Sequence, residues 1–140
     1  MEELIELRKS IQTGNYTKAL QIVDELEEMS VEDKLNKIDS YMVILLLHLI
    51  KKNAQQKTTR SWELSINNSV RQINKTNKRR KSGGYYAKAE VLKEIIDDAF
   101  EPALEGAAIE AFDGAYSEQE LLSKIDVEQI KNTAFSLLDS

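Results

Sequence analysis

Apolar residues recur every three to four positions along most of the chain, the period of helices buried on one side. Leu4, Ile5, Leu7 and Ile11 predict a first helix over roughly 2–13 with those residues on one side. Gly14-Asn15 ends it, because Gly takes the left-handed conformation without steric cost. A second helix is expected over about 16–29, with Ala19, Leu20, Val23 and Leu26 inward. Ser30 and Asp33 form a capping-box pattern that opens a third helix reaching about residue 55. Along it Leu35, Ile38, Met42, Leu45 and Leu49 follow three-four spacing. Val43, Ile44, Leu46, Leu47 and Ile50 make its second half apolar nearly all round. A helix of that kind is covered on most sides and sits at the centre of a bundle.

A fourth helix is expected from Thr59 to just before Gly83-Gly84. Its Trp62, Ile66, Val70 and Ile73 fall within about 40° of one direction, with Arg60, Arg71, Lys75 and Lys78 on the other side. A fifth runs from Ala87 towards Phe100, with Leu92, Ile95, Ile96 and Ala99 inward. Glu90, Glu94, Asp98, Glu101 and Glu105 form an acidic stripe opposite. Pro102 lacks the amide donor, so it is expected to kink this helix or start a new one. Ala103, Ala107 and Ala111, with Gly106, then offer a small-residue face that permits close helix approach, and Gly114 ends the element. Ser117 with Glu120 and Asp126 with Gln129 predict two short terminal helices. Leu121, Leu122, Ile130, Ala134, Leu137 and Leu138 point inward on them. No segment shows sustained strand alternation.

These elements predict an all-α fold: one domain, 1–140, of about five to seven helices around a central leucine-rich helix. Residues 1–82 supply four bundle helices, and 85–140 supply acidic helices packing on them. The composition agrees, with one Pro, five Gly and 140 residues, enough for one core. The absence of cysteine removes disulfides, thiolate nucleophiles and Cys-based metal sites. The longest apolar run, Tyr41 to Ile50, falls short of the roughly 20 residues a membrane span needs. Met1-Glu2-Glu3-Leu4 has no signal-peptide character. A cytoplasmic protein, not associated with a membrane, is expected.

Charge changes the picture more. Residues 51–89 carry eleven Lys or Arg and one acid, Glu63, a balance of +10. The fifty residues before them hold ten acids and five bases, and the fifty-one after hold thirteen and three. The whole-chain charge of −5 hides this acid–basic–acid layout. A basic stripe either meets an external polyanion or answers acids of the protein's own kind.

The stretch Leu45-Leu46-Leu47-His48-Leu49-Ile50-Lys51, then Arg60-Ser61-Trp62 and Ser65-Ile66, resembles the bacterial domain-of-unknown-function family 29. Gly14-Asn15-Tyr16 followed by Ile22-Val23-Asp24-Glu25-Leu26-Glu27 is similar to that family's Gly-x-aromatic turn and acidic helix. The resemblance covers roughly residues 4–110 and implies an all-helical fold with no assigned activity. Many relatives carry Trp where this chain has Lys52, and the tail beyond about Phe112 looks like a subgroup extension. Gly14-Asn15-Tyr16 with Ala19-Leu20 also resembles a tetratricopeptide-type helix pair. It occurs once, so no repeat array is expected.

Catalytic chemistry finds little support. His48 is the lone histidine, and no local carboxylate or nucleophile accompanies it. Bonding to a backbone carbonyl or to Ser61 is the expected role. Arg60, Ser61 and Trp62 are expected to be structural, with Trp62 anchored in the core. Carboxylates strung along one helix face spread rather than converge on a metal. Phosphate loops and nucleophile elbows are missing. A non-enzymatic protein without metal or cofactor is therefore expected.

The segment Lys78-Arg79-Arg80-Lys81-Ser82-Gly83-Gly84-Tyr85-Tyr86, with Arg71 and Lys75, is the candidate contact surface, and two readings stand. In the leading one the cations meet acids of a protein partner or of a second copy, making the chain an interaction or self-association module, with a homodimer as one form of it. In the alternative they contact RNA or DNA phosphates while the tyrosines stack on bases.

Overall fold

The computed structural model describes residues 2–79 and 83–140. Among the described residues there are six α-helices: α1 (Glu2–Gln12), α2 (Tyr16–Gln55), α3 (Arg60–Asn77), α4 (Ala89–Glu110), α5 (Glu118–Leu122) and α6 (Val127–Leu137). A 3-10 turn, Ala111–Gly114, follows α4. Among the described residues, strand-like pairing is confined to one antiparallel bridge between Lys78 and Tyr85. The fold is all-α, as its periodicity predicts. It divides into two compact units, Met1–Lys34 and Leu35–Ser140, and the division falls within α2.

The first unit is a helix pair. Gly14, at φ +77°, reverses the chain. The Asn15 amide donates to Ser10 O at 2.8 Å, and Asn15 Oδ1 accepts the Lys18 amide at 3.3 Å, capping α2. Among the described side chains, those buried here are Ser10, Ala19 and Ile22. This corrects the sequence reading. Leu4, Ile5, Ile11, Leu20 and Val23 are exposed, and Leu7 and Leu26 are half-buried. The expected break at Ser30 is also absent, since α2 continues through it. Neither Gly nor Pro occurs in residues 16–55, and an interior Ser costs a helix only about 0.5 kcal/mol.

The second unit holds the core. Ile38, Met42, Leu45, Leu46, Leu49 and Ile50 of α2 are buried among Ile66 and Ile73 of α3 and Leu92, Ile96, Ala99, Phe100, Ala103 and Leu104 of α4. Leu121, Ile130, Ala134 and Leu138 close it from the C-terminal end, whereas Leu122 and Leu137 are exposed. α4 runs unbroken through Pro102. Both Pro102 and Asp98, whose carbonyl loses its partner, lie on the exposed side, where water can replace the missing bond. Gly106 explains how closely α4 approaches α2: a Cβ there would lie 2.6 Å from Leu47 Cδ1. α4 ends at Glu110, before the expected Gly114. Phe112 (φ 52°) and Asp113 (φ 56°) then enter the left-handed region, beside an edge-on contact of Phe112 with Tyr116 at 5.1 Å.

The terminal helices start as their motifs predict, with one amendment. Ser117 and Glu120 form a full capping box. At Asp126 only half of the box is internal, its side chain accepting the Gln129 amide at 3.1 Å. The other half comes from α2. Asn53 Oδ1 accepts the Asp126 amide at 3.0 Å, and Asn53 Nδ2 donates to Gln129 Oε1 at 3.2 Å. One asparagine thereby docks the start of α6 on the end of α2.

Candidate functional site

The sequence motif assembles where α2 hands over to α3. Thr59 caps α3, its hydroxyl oxygen accepting the Trp62 amide at 3.1 Å. This turns the Trp62 ring towards the last turns of α2. Lys51 lies buried over that ring, its Nζ 4.5 Å from the centroid, and donates to Glu110 Oε1 at 3.1 Å. Lys57 stands 6.0 Å from the same ring. Trp62 is half-buried rather than sunk in the core, so its face serves as a platform for cations. Lys52 donates to Glu63 Oε1 at 2.7 Å, and the Thr58 hydroxyl donates to the same oxygen at 3.0 Å. The hydrogen bond from Lys52, then that from Thr58, holds the Glu63 carboxyl below the usual carboxylate range.

The other motif residues stay apart. His48 is half-buried and its Nδ1 lies 2.8 Å from Ile44 O within its own helix, so the expected carbonyl partner holds it and Ser61 does not. Arg60 and Ser61 are exposed. The motif therefore joins the α2–α3 corner to the end of α4 through Lys51, Trp62 and Glu110. Glu110 lies 59 residues from Lys51, too far for local spacing to reveal. The available signal was a single cation, Lys51, directly after an apolar run.

The basic segment divides in two. Arg71, Lys75 and Lys78 are exposed on the outer side of α3 and form no ion pair among the described residues. Beyond them the chain turns back sooner than expected. Asn77 is buried, donates to Ala87 O at 2.9 Å and accepts the Ala87 amide at 2.7 Å. Its carbonyl accepts the Tyr86 amide at 2.9 Å. This bracket stops α3 at Asn77 rather than near Gly83. Arg79 stacks 5.4 Å from the Tyr86 ring, and both Tyr85 and Tyr86 are half-buried. Arg80 and Lys81 lie outside the described residues.

Two outward stripes result. Arg60, Leu64, Asn67, Asn68, Arg71 and Lys75 are all exposed within an arc of about 100° on α3. Glu90, Glu94, Asp98, Glu101 and Glu105 are exposed on a similar arc of α4, with Asp97 beside them paired to Lys131 at 3.0 Å. No carboxylate or histidine group among the described residues is placed to hold a metal ion. No helix among them is long and apolar enough to cross a membrane. A solvent-open depression of about 810 Å³ lies beside Glu105, Ile109, Tyr116 and Ser117.

No curated protein and no solved structure matches the chain. A family model does, over residues 11–135, and this range takes in most of the tail read above as a subgroup extension. That tail supplies Leu121, Ile130 and Ala134 to the core, which explains why it belongs to the shared domain. The chain is a member of the family described as Domain of unknown function DUF29.

Proposed function

We propose that the protein is a non-catalytic interaction module that receives an acidic helical surface on the outer side of α3. The observation that carries this reading is a matched spacing. Arg71, Lys75 and Lys78 follow one another at four and three residues, and so do Glu94, Asp98 and Glu101. Both sets span about 10 Å along their axes. Both are exposed, and neither finds an ion pair among the described residues. The α4 stripe of a second copy is thus one surface of the right chemistry.

Contacts of this kind are screened by salt. Light scattering is expected to show a mass that grows as salt is lowered. Replacing Arg71, Lys75 and Lys78 together by Glu is expected to remove that growth with helical content unchanged. A mass independent of salt overturns the reading. RNA or DNA is the competing occupant of this face. Steeply salt-dependent binding of a short oligonucleotide, lost in the same triple variant, would assign the face to nucleic acid instead.

A further inference from the structure

Residues 2–34 leave an apolar face uncovered. Tyr16 and Leu20 are each 65 % exposed, and Leu4, Ile11 and Val23 are between 42 and 53 % exposed. They are not scattered. At about 100° per residue, Leu4, Leu7 and Ile11 share an arc of about 60° on α1, and Tyr16, Leu20 and Val23 share an equal arc on α2. Their spacing, three then four on α1 and four then three on α2, is that of a helix–helix seam. Beside each open arc lies the sealed one: Ser10 on α1, with the half-buried Leu7 at the boundary, and Ala19, Ile22 and Leu26 on α2.

The order of the arcs decides the geometry. Proceeding clockwise as seen from each helix's own N-terminus, the sealed arc precedes the open arc in both helices. A short connection makes the two helices antiparallel neighbours, so both open arcs fall on the same side of the pair. A helix with two adjacent apolar arcs has two neighbours, which is the arrangement inside a four-helix bundle. The pair supplies two helices of such a bundle and lacks the other two.

Charge identifies the occupant. Arg8, Lys9 and Lys18 lie towards the Gly14 turn, whereas Glu2, Glu3, Glu6, Asp24, Glu25 and Glu28 lie towards the open end. A second copy laid turn to open end sets opposite charges together, and the parallel arrangement sets like against like. We propose that two copies of this chain dock through residues 2–34 as an antiparallel four-helix bundle. Two-fold symmetry then places α1 across from α1 and α2 across from α2. Leu4 meets the partner's Ile11, Tyr16 meets the partner's Val23, and Leu20 meets the partner's Leu20.

This proposal is independent of the α3 reading, and salt separates the two. Light scattering of the full chain at micromolar concentration is expected to give a dimer that persists in high salt, since an apolar seam is not screened. Leu20→Glu is expected to yield a monomer with unchanged helical circular dichroism. Tyr16→Ala is expected to weaken the dimer by about a hundredfold, since one aromatic anchor is lost from each copy. Reversing the charges of Arg71, Lys75 and Lys78 leaves this dimer intact. Because the chain has no cysteine, single introduced thiols report the orientation. Leu20→Cys is expected to form an inter-chain disulfide on oxidation and Thr13→Cys is not. A monomer in high salt overturns the proposal. A dimer linked through Thr13→Cys but not through Leu20→Cys overturns the antiparallel arrangement.

Discussion

Residues 2–34 and 35–140 carry the same amphipathic period and treat it differently. In the larger unit the apolar stripe of α2 is sealed by helices drawn from three other stretches of chain, leaving Ile38, Met42, Leu45, Leu46 and Ile50 fully buried. Among the described side chains of the smaller one, Ala19 and Ile22 of α2 are buried, and the larger Tyr16 and Leu20 stay open. The contrast shows that periodicity states which side of a helix is apolar, while the number of neighbours states how much of that side is buried. A two-helix unit has too few faces to cover two adjacent arcs, so its pattern is half satisfied within the chain.

The sharpest way to break this comparison is a matched pair of truncations. Leu45→Ala is expected to destabilise residues 35–140 by about 3 kcal/mol, from lost burial and a cavity. Leu20→Ala, measured on dilute protein, is expected to cost less than about 1 kcal/mol, close to a surface substitution. Urea unfolding followed by circular dichroism checks both. Equal losses would mean that the smaller unit is as well sealed as the larger.

Asn77→Ala probes how far the larger unit depends on polar closure. It leaves the amide and carbonyl of the fully buried Ala87 without their partners, at an expected cost of about 2 kcal/mol. Thermal unfolding would show it, together with faster amide exchange at Ala87. Lys51→Met tests the Trp62 clamp while keeping most of the side-chain stem. Loss of the cation over the ring and of the Glu110 pair is expected to cost about 1 kcal/mol, with a shift in tryptophan fluorescence.

The smallest effect is expected at Glu63. Its folded-state pKa is lowered, chiefly by Lys52. The stability it contributes is therefore present above the unfolded-state value and lost as pH falls through the folded one. Glu63→Gln is expected to flatten the acid limb of the stability curve below about pH 4.5. An unchanged acid limb would show that this ion pair adds nothing at the α2–α3 corner.

Local chemistry was readable wherever a few neighbouring residues decide it. The start of α3 at Thr59, the capping box at Ser117, the Gly14 turn and the outward charges of α3 and α4 all rest on contacts within one turn of helix. The less readable features depend on distant partners. The Asp126 cap takes half its bonds from Asn53, 73 residues away. α3 stops at Asn77 because Ala87 returns to it, although its composition would carry a helix further. Trp62 looked like a core anchor because its apolar stripe says nothing of Lys51 arriving over its face. The candidate contact surface was legible as a charge pattern, and the uncovered face of residues 2–34 was not. Leu20 and Val23 read as inward for the same reason that Leu45 does.

Sequence alone determined that this chain is helical, where most of its helices begin, and which residues could face a core, because those properties follow from backbone hydrogen bonding and a fixed turn of about 100° per residue. Tertiary structure decided which apolar faces were covered, that α3 would stop at Asn77, and that Lys51 would be buried over an indole. Burial is a property of neighbours, and neighbours are set by how the whole chain packs.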